Sequence, residues 1–138
     1  MVFLTRRETF NAAHRLFNPN WDDEKNFEVF GVCANKNYHG HNYELFVTVK
    51  GEPNPETGII TNLKELSTII KKEIIDKIDH KNIDMDVDFM KGKMSTTENL
   101  SIAIFNELKN VITDCELHRV KVQETENNCA EYFGALDA

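Results

Sequence analysis

Hydrophobic and polar residues alternate over residues 2 to 14, with the two-residue period of a strand that has one covered face. One parity is mostly apolar and ends in a histidine: Val2, Leu4, Phe10, Ala12 and His14. Arg6 and Glu8 have the same parity and interrupt the apolar pattern midway. The pattern predicts a strand whose His14 points toward the covered side.

The alternation is cleaner over residues 41 to 50 and returns over residues 117 to 126. One face of the first segment carries His41, Tyr43, Leu45, Val47 and Val49. One face of the second segment carries Val120, Val122 and Glu124. We expect a strand in each segment and a shorter one at residues 129 to 133.

Two other segments place apolar residues three and four positions apart, which is typical of amphipathic helices. The first stripe consists of Leu63, Leu66, Ile70 and Ile74, and the second of Leu100, Ala103, Ile104, Leu108 and Val111. Each stripe follows two residues with the spacing of a capping box, namely Asn62 with Glu65 and Ser95 with Glu98. Both segments are therefore predicted to be helical.

A short helix is also predicted within residues 22 to 30, and residues 79 to 93 form a polar connection between the two main helices. The order of the main elements is strand, strand, helix, helix, strand, strand. This order indicates an α+β fold, in which two helices cover one face of an antiparallel sheet. A chain of 138 residues is long enough for one such domain, which we expect to span residues 1 to 138.

The charge balance argues against nucleic acid as a partner. The chain has 16 Lys and Arg against 23 Asp and Glu, a formal charge of −7 with histidine neutral, whereas binding to a phosphate backbone needs clustered basic residues. No apolar run reaches the length of a membrane helix, and the first ten residues lack the order of a secretory signal. We therefore expect no membrane partner and a cytoplasmic location.

The cysteines are three in number and widely spaced, which favours reduced thiols over a disulfide framework. Cys33 lies six residues before His39 in an irregular segment, where reactive groups are often placed. A thiol beside a cation loses its proton more easily and can then act as a base or nucleophile. The alternative is that Cys33 is a small buried side chain. We expect Cys115 and Cys129 to be structural.

Three histidines have the spacing of a metal site. His39 and His41 are two residues apart, so in an extended chain both rings point to the same side. His14 ends the first strand and has the inward parity. Three imidazoles with a fourth position open are typical of catalytic zinc. The alternative is a solvent-exposed His-Gly-His loop with His14 as an ordinary buried histidine.

Two carboxylates have a possible chemical role. Asp79 directly precedes His80, and a neighbouring carboxylate can orient an imidazole and stabilise its cation, although such pairs also simply end helices. Glu124 shares a face with buried valines, and an ionised carboxylate there requires a partner. That partner is either an internal Arg or Lys, or a ligand edge with two parallel N–H donors.

Five segments, taken together and in order, resemble the 6-pyruvoyl-tetrahydropterin synthase family: FNAAHRL, FGVCANKNYHGHNY, DHKNIDMDV, STTEN and VKVQETENN. The likeness runs from about residue 10 to residue 134. It implies the tunnelling fold, or T-fold, with the order ββααββ. In that family three subunits close a β-barrel and two trimers stack into a hexamer, with active sites at subunit boundaries.

The resemblance also implies a set of site residues. The zinc ligands would be His14, His39 and His41. The catalytic residues would be Cys33, Asp79, His80 and Glu124, with the Asp79 and His80 pair supplied by a neighbouring subunit. Glu124 would also anchor the amino-pyrimidine edge of the pterin, and Thr96 and Thr97 would contact its ring.

The implied reaction converts 7,8-dihydroneopterin triphosphate to 6-pyruvoyl-tetrahydropterin with loss of triphosphate, a lyase step in tetrahydrobiopterin biosynthesis that needs zinc and no nicotinamide. Arg15 and Lys36 are candidate cations for the triphosphate. Ala34 and Tyr38 stand where the family commonly has asparagine and glycine. Two alternatives therefore stay open: a 6-carboxytetrahydropterin synthase of the queuosine pathway, and a non-catalytic pterin- or metal-binding homologue.

Overall fold

The structure is a computed structural model that describes residues 1 to 135, so the last three residues of the predicted 1 to 138 domain lie outside the described residues. Its strands are β1 (Val2–His14), β2 (His39–Gly51), β3 (Lys81–Asn82), β4 (Glu116–Thr125) and β5 (Asn128–Tyr132). Its α-helices are α1 (Asp23–Phe30), α2 (Leu63–Ile70), α3 (Asp76–Ile78), α4 (Ile83–Asp86) and α5 (Thr97–Leu108). A π-helical turn, Lys71–Ile75, joins α2 to α3 without a break.

The five strands form one sheet in the order β3-β1-β2-β4-β5. The four longer strands pair antiparallel, as predicted. The two-residue strand β3 adds to β1 in parallel, with Ala12 opposite Lys81 and Ala13 opposite Asn82. Because β3 is so short, it covers only the end of β1 near His14. The polar connection from residue 79 to 93 is thus more structured than the sequence indicated.

The core lies between one face of the sheet and the helices α2 and α5. The inward apolar residues of β2 and β4 are buried from Tyr43 to Val49 and at Val120 and Val122. Most of each helix's apolar stripe packs against them, with Leu66, Ile70, Ile74, Leu100, Ile104 and Leu108 at most 1% exposed. The α+β architecture with helices on one face is therefore confirmed. Among the described residues, no helix has both the length and the apolar character needed to cross a membrane.

Arg6 and Glu8 lie on the covered face of β1 despite their charge. Their side chains pair with each other, with Arg6 Nε 2.9 Å from Glu8 Oε1. The Ser67 hydroxyl on α2 donates a second hydrogen bond to the same carboxylate oxygen at 2.7 Å. The charges are thus satisfied within the fold, which explains how the strand continues through the break in its apolar pattern.

The two main helices begin almost where the sequence indicated. Asn62 caps α2, and its side chain accepts hydrogen bonds from the backbone N–H groups of Lys64 and Glu65. The cap of α5 is Thr96 rather than the predicted Ser95, because it is the Thr96 hydroxyl that accepts from the N–H of Asn99. Ser95 is buried one residue earlier, and its carbonyl oxygen has a different partner, described below.

Candidate metal centre and active site

The pairing of β1 with β2 brings three histidines together. In this register His14 lies directly opposite His39, and Ala12 lies opposite His41. All three histidines point to the covered face, and one ring nitrogen from each lies within 4.8 Å of those of the other two. The structure therefore assembles the predicted cluster from the end of β1 and the start of β2, which are 25 positions apart in the chain.

A backbone carbonyl fixes the ring orientation of His14. Its Nδ1 lies 2.8 Å from the Ser95 carbonyl oxygen, and the side chain is only 1% exposed. A carbonyl can only accept a hydrogen bond, so Nδ1 carries the proton and Nε2 keeps its free lone pair. Histidines that bind metals commonly donate their other ring N–H to a carbonyl or carboxylate oxygen in this way. The residue before the α5 cap thus orients a side chain at the end of β1.

Two of the imidazole nitrogens have no hydrogen-bond partner. The Nε2 atoms of His14 and His41 are buried and unpartnered among the described residues. Burial lowers the pKa of His14, His39 and His41 below the ordinary histidine value, so at neutral pH the rings are uncharged. Unpartnered buried nitrogens are costly, and neutral imidazole is the form that binds metals. The donor set therefore fits a divalent ion such as zinc.

Glu124 on β4 faces the same space. Its Oε1 is 3.5 Å from His41 Nε2 and its Oε2 is 3.9 Å from His14 Nε2. The Thr97 hydroxyl donates a hydrogen bond to Glu124 Oε2 at 2.8 Å. Within residues 1 to 135 no Arg or Lys pairs with this carboxylate. Of the two partners expected from the sequence, the internal Arg or Lys is thus absent from the described residues, and the ligand edge stays a prediction.

Cys33 lies in a 3₁₀ turn, Gly31–Ala34, that follows α1. Its carbonyl oxygen accepts a hydrogen bond from the Leu16 N–H at 2.7 Å, which holds the turn beside the chain that leaves His14. The cysteine is half-buried and reduced. No hydrogen bond in the described chain joins its thiol to the three histidines, so the fold brings the Cys33 turn near the cluster without a direct bond.

Tyr38, which directly precedes His39, has φ = 68°. This left-handed conformation is unusual for a residue with a bulky side chain. Its N–H donates to the Asn35 carbonyl at 3.1 Å, which closes a turn between the Cys33 segment and β2. The position where the family commonly has glycine is therefore a position of real backbone strain in this chain.

Asp79 and His80 lie beside β1 at Asn11, and within the described residues no hydrogen bond joins either of them to the histidine cluster. The Asn11 N–H donates to Asp79 Oδ1 at 2.9 Å, and the His80 N–H donates to the Asn11 carbonyl at 2.6 Å. His80 Nδ1 is 3.0 Å from Asp79 Oδ2, and the His80 side chain is 81% exposed. The predicted pairing of the two side chains is present, and the imidazole points into solvent.

The backbone hydrogen bond from Asn11 lowers the pKa of Asp79 below the ordinary value, and the neighbouring His80 adds to this effect. His80 itself has φ = 61°, a second left-handed residue that the two Asn11 bonds hold in place. Asn11 was not identified from the sequence, because nothing in the pattern links it to residues 68 positions away. Its side chain is in turn held by Asn42, at 2.6 Å.

The three remaining candidates, Thr96, Lys36 and Arg15, each contact another residue of the chain. The Thr96 hydroxyl caps α5, next to Thr97. Lys36 Nζ forms an ion pair with Asp23 at 2.8 Å, and the Arg15 guanidinium lies over the Phe17 ring at 4.0 Å. Asp84 is a further residue that sequence reasoning missed, since it lies in the polar connection of residues 79 to 93 with nothing in the pattern to single it out. Its carboxylate accepts from the Arg15 N–H at 2.9 Å and so fixes the chain just beyond His14.

Comparisons with known proteins agree with this arrangement. A sequence profile of the family described as 6-pyruvoyl tetrahydropterin synthase matches residues 3–135. The chain therefore belongs to the 6-pyruvoyl tetrahydropterin synthase family, which is a family of enzymes. The resemblance seen in the five sequence segments is thereby confirmed.

Individual relatives match over nearly their whole length. A human 6-pyruvoyl tetrahydrobiopterin synthase is 44% identical over 131 residues, which is 95% of this chain and 90% of the relative. A Dictyostelium discoideum protein of the same name is 45% identical over 133 residues, 96% of each chain. The solved structure of Caenorhabditis elegans 6-pyruvoyl tetrahydropterin synthase superimposes with a TM-score of 0.91 at 39% identity, covering 97% of this chain and 96% of that one.

Proposed function

We propose that this protein is a zinc-dependent lyase that converts 7,8-dihydroneopterin triphosphate to 6-pyruvoyl-tetrahydropterin and releases triphosphate, in tetrahydrobiopterin biosynthesis. The observation that carries the proposal is the cluster of three neutral imidazoles, two with unpartnered Nε2 atoms, beside a carboxylate that lacks an internal cation. The names of the curated relatives support the same activity. The whole chain, residues 1 to 138, would form one cytoplasmic domain.

His14, His39 and His41 would hold the zinc ion. When bound there, zinc supplies a Lewis acid that makes the C–H bonds beside the substrate's side-chain hydroxyls more acidic. The Ser95 carbonyl keeps His14 in the tautomer that this role requires. The lowered pKa of each imidazole means that a proton does not compete with the metal at neutral pH.

Glu124 would accept two parallel hydrogen bonds from the amino-pyrimidine edge of the pterin, as a carboxylate does with any guanidine-like group. The hydrogen bond from Thr97 to Oε2 fixes the rotation of that carboxylate before substrate arrives. Thr96, as the first residue before α5, would contact the ring from the same helix end. This geometry would hold the substrate side chain against the three imidazoles.

Cys33 would act as the general base, and His80, oriented by Asp79, as the general acid. Each proton removed from a carbon of the substrate side chain would pass to one of these groups and return at another atom, so hydroxyl oxidation would balance ring reduction within one molecule. The His80 side chain is 81% exposed, and among the described residues it pairs with Asp79 rather than with the histidine cluster. We therefore propose that it serves the active site of a neighbouring subunit.

The proposed assembly is a hexamer of two stacked trimers, each trimer closing a β-barrel. Two features of the described chain support it. Strand β3 covers only Ala12 and Ala13, so the edge of β1 from residue 2 to 11 has no partner strand within residues 1 to 135. The other edge strand, β5, is likewise open on one side. Open edges of this length pair readily with another chain.

The direct test is to incubate the zinc-loaded protein with 7,8-dihydroneopterin triphosphate and identify the products. We expect triphosphate and 6-pyruvoyl-tetrahydropterin. Acetaldehyde release would instead identify a 6-carboxytetrahydropterin synthase. Bound zinc without triphosphate release would indicate the non-catalytic homologue, an alternative that the strained Tyr38 beside His39 keeps open.

In the same assay Cys33→Ala should bind zinc and lose turnover, and full activity of this variant would refute the role of Cys33.

Shared active sites can be tested by mixing subunits. Cys33→Ala and His80→Ala homo-oligomers should each be inactive. When the two variants are denatured, mixed and refolded together, some sites will combine an intact Cys33 from one chain with an intact His80 from the next. Recovery of activity in the mixture would support the proposal. Activity no higher than in the separate variants, with a hexamer confirmed by sedimentation, would place both residues in the same chain's site.

A further inference from the structure

Tyr43 is a buried residue next to the metal centre that the proposed chemistry leaves unused. It follows His41 by two positions on β2 and points to the same covered face, where it is 1% exposed. Its hydroxyl oxygen is buried and has no hydrogen-bond partner among the described residues. A tyrosine hydroxyl usually finds a partner when buried, because an unpaired one destabilises the fold.

The position of the ring is fixed by its neighbours. Phe10 on β1 stacks against Tyr43 with centroids 4.8 Å apart and an interplanar angle of 13°. The rings of His41 and His14 meet it edge-on, at centroid distances of 5.6 and 6.2 Å. Three rings pack around Tyr43 and leave it little freedom to rotate toward another partner. Its hydroxyl therefore stays unpaired unless an atom enters the site.

The hydroxyl shares the electrostatic surroundings of the histidine cluster. Burial raises the pKa of Tyr43 far above its ordinary value, and the negative charges of Glu124 and Asp84 raise it further. The same two carboxylates act on His14 and His39. As a hydroxyl, Tyr43 Oη can donate one hydrogen bond and accept another.

Three side chains whose rings contact one another thus each have a buried polar atom without a hydrogen-bond partner among the described residues: His14 Nε2, His41 Nε2 and Tyr43 Oη. A metal ion satisfies the two nitrogens but not the hydroxyl, which needs an oxygen or nitrogen atom within hydrogen-bond distance. The Glu124 carboxylate, 3.5 Å from His41 Nε2 and 3.9 Å from His14 Nε2, faces the same part of the site. A metal ion with an oxygen atom beside it would therefore satisfy all three groups, the metal the two nitrogens and the oxygen the hydroxyl.

We propose that Tyr43 is a positioning residue that donates a hydrogen bond to the oxygen atom, of water or of the substrate side chain, that enters the space between the three imidazoles and Glu124. The inference deepens the proposed function and rests on it, because the oxygen is placed there by the metal centre. In this role Tyr43 holds the reacting oxygen in one orientation, and phenylalanine would fill the same volume without doing so.

The test compares Tyr43→Phe with wild type, and uses Tyr132→Phe as the matched control. Tyr132 is on β5, where its ring contacts Phe105 and none of the three histidines. Three quantities are measured for each protein: the zinc Kd by competition with a chelator, the melting temperature of the metal-free form, and kcat with KM.

For Tyr43→Phe we expect the zinc Kd to rise about tenfold, which is typical when a hydrogen bond to a group beside the metal is lost. We also expect kcat to fall about tenfold with KM within about twofold, as for removal of one neutral hydrogen bond made mainly at the reacting atom. The metal-free melting temperature should not fall, because no hydrogen bond is lost in that form. Tyr132→Phe should match wild type in the zinc Kd and in kcat.

A zinc Kd and kcat equal to those of wild type would overturn the proposal. So would a metal-free Tyr43→Phe protein that melts lower while its zinc Kd is unchanged, since the hydroxyl would then have a structural partner. Failure of the proposed function gives a different result, because wild type itself would then bind no zinc or release no triphosphate, and the inference would fall with it.

Discussion

Glu8 and Glu124 occupy similar positions and have opposite uses. Both lie on the covered face of the sheet, and each accepts a hydrogen bond from a hydroxyl on a neighbouring helix, Ser67 on α2 and Thr97 on α5. Glu8 also has its own cation, the Arg6 guanidinium at 2.9 Å. Glu124 instead faces the nitrogens of His14 and His41.

We propose that this difference separates a structural carboxylate from a ligand-binding one in this fold. The charge of Glu8 is neutralised by a residue two positions away, so its surroundings are complete without a ligand. The surroundings of Glu124 are complete only when something with N–H donors or positive charge enters the site. Burial alone does not distinguish the two, since their side chains are 11% and 18% exposed.

The largest effect is expected from removing an imidazole beside Glu124. His41→Ala should bind zinc at least about 100-fold more weakly. Mutating a group that only hydrogen-bonds to a metal ligand weakens metal binding about 10–100-fold, and loss of a ligand itself should cost more. Zinc content after gel filtration and triphosphate release are the measurements. His118→Ala is the matched control, since His118 lies between Phe3 and Phe133 outside the cluster. Equal zinc content in both variants would disprove the metal centre.

Exchanging each carboxylate for an amide tests the comparison directly. Glu124→Gln should keep zinc and lose about 100-fold in kcat/KM, because a neutral amide cannot accept two hydrogen bonds from the pterin edge. Glu8→Gln should keep kcat/KM and lose about 1–2 kcal/mol of unfolding free energy, because Arg6 loses its partner. Steady-state kinetics and urea denaturation measure the two effects. If Glu8→Gln lost activity while staying folded, the proposed division between the two glutamates would be wrong.

Thr97 and Ser67, the hydroxyl residues that hydrogen-bond to Glu124 and Glu8, should show the same division between activity and stability with smaller effects. Thr97→Val preserves the side-chain shape, and we expect kcat/KM to fall about five- to tenfold, since the Glu124 carboxylate can then rotate. Ser67→Ala should leave kcat/KM unchanged and lower the unfolding free energy by about 1 kcal/mol. A Thr97→Val enzyme with wild-type kinetics would mean that substrate alone orients Glu124.

The smallest effect is on the pH dependence of stability. Burial acts to raise the pKa of Glu8, but hydrogen bonds from Ser67 and Arg6 and the charges of Arg6 and Lys71 outweigh it, so the pKa lies below the ordinary 4.5. The unfolded chain therefore binds the proton more tightly. Stability from Glu8 is present above pH 4.5 and is lost as the pH falls through the folded-state pKa.

Urea denaturation from about pH 3 to pH 7 would reveal this contribution of Glu8. The Glu8→Gln protein should show a shallower loss of unfolding free energy on the acid side than wild type. Parallel curves for the two proteins would show that Glu8 does not contribute in this way.

Much of the candidate site could be predicted because strand parity is a strict rule. His14, His41 and Glu124 fall on the covered face by counting in steps of two, and the antiparallel pairing of β1 with β2 then places His39 opposite His14. The fold class followed from the order of the elements in the same way. These features depend on local spacing, which a sequence displays.

The features that could not be predicted depend on single contacts between distant residues. Nothing in the sequence shows that Asn11 would hold the Asp79 and His80 turn, or that Asp84 would bind the Arg15 N–H. The α5 cap was misassigned because Ser95 and Thr96 are adjacent hydroxyl residues, either of which can cap a helix. Tertiary contact decides between them, since Ser95 is buried and bonded to His14.

The register between β1 and β2 has a further consequence, for folding. A slip of one residue along this pair would turn His39 and His41 to the opposite face while leaving His14 in place, so no three-nitrogen cluster could form. A bound metal would therefore stabilise the native register over its nearest competitors, and it would do so at the end of the hairpin farthest from Val2 and Gly51. Metal binding would then favour the correctly folded chain in addition to its role in the reaction.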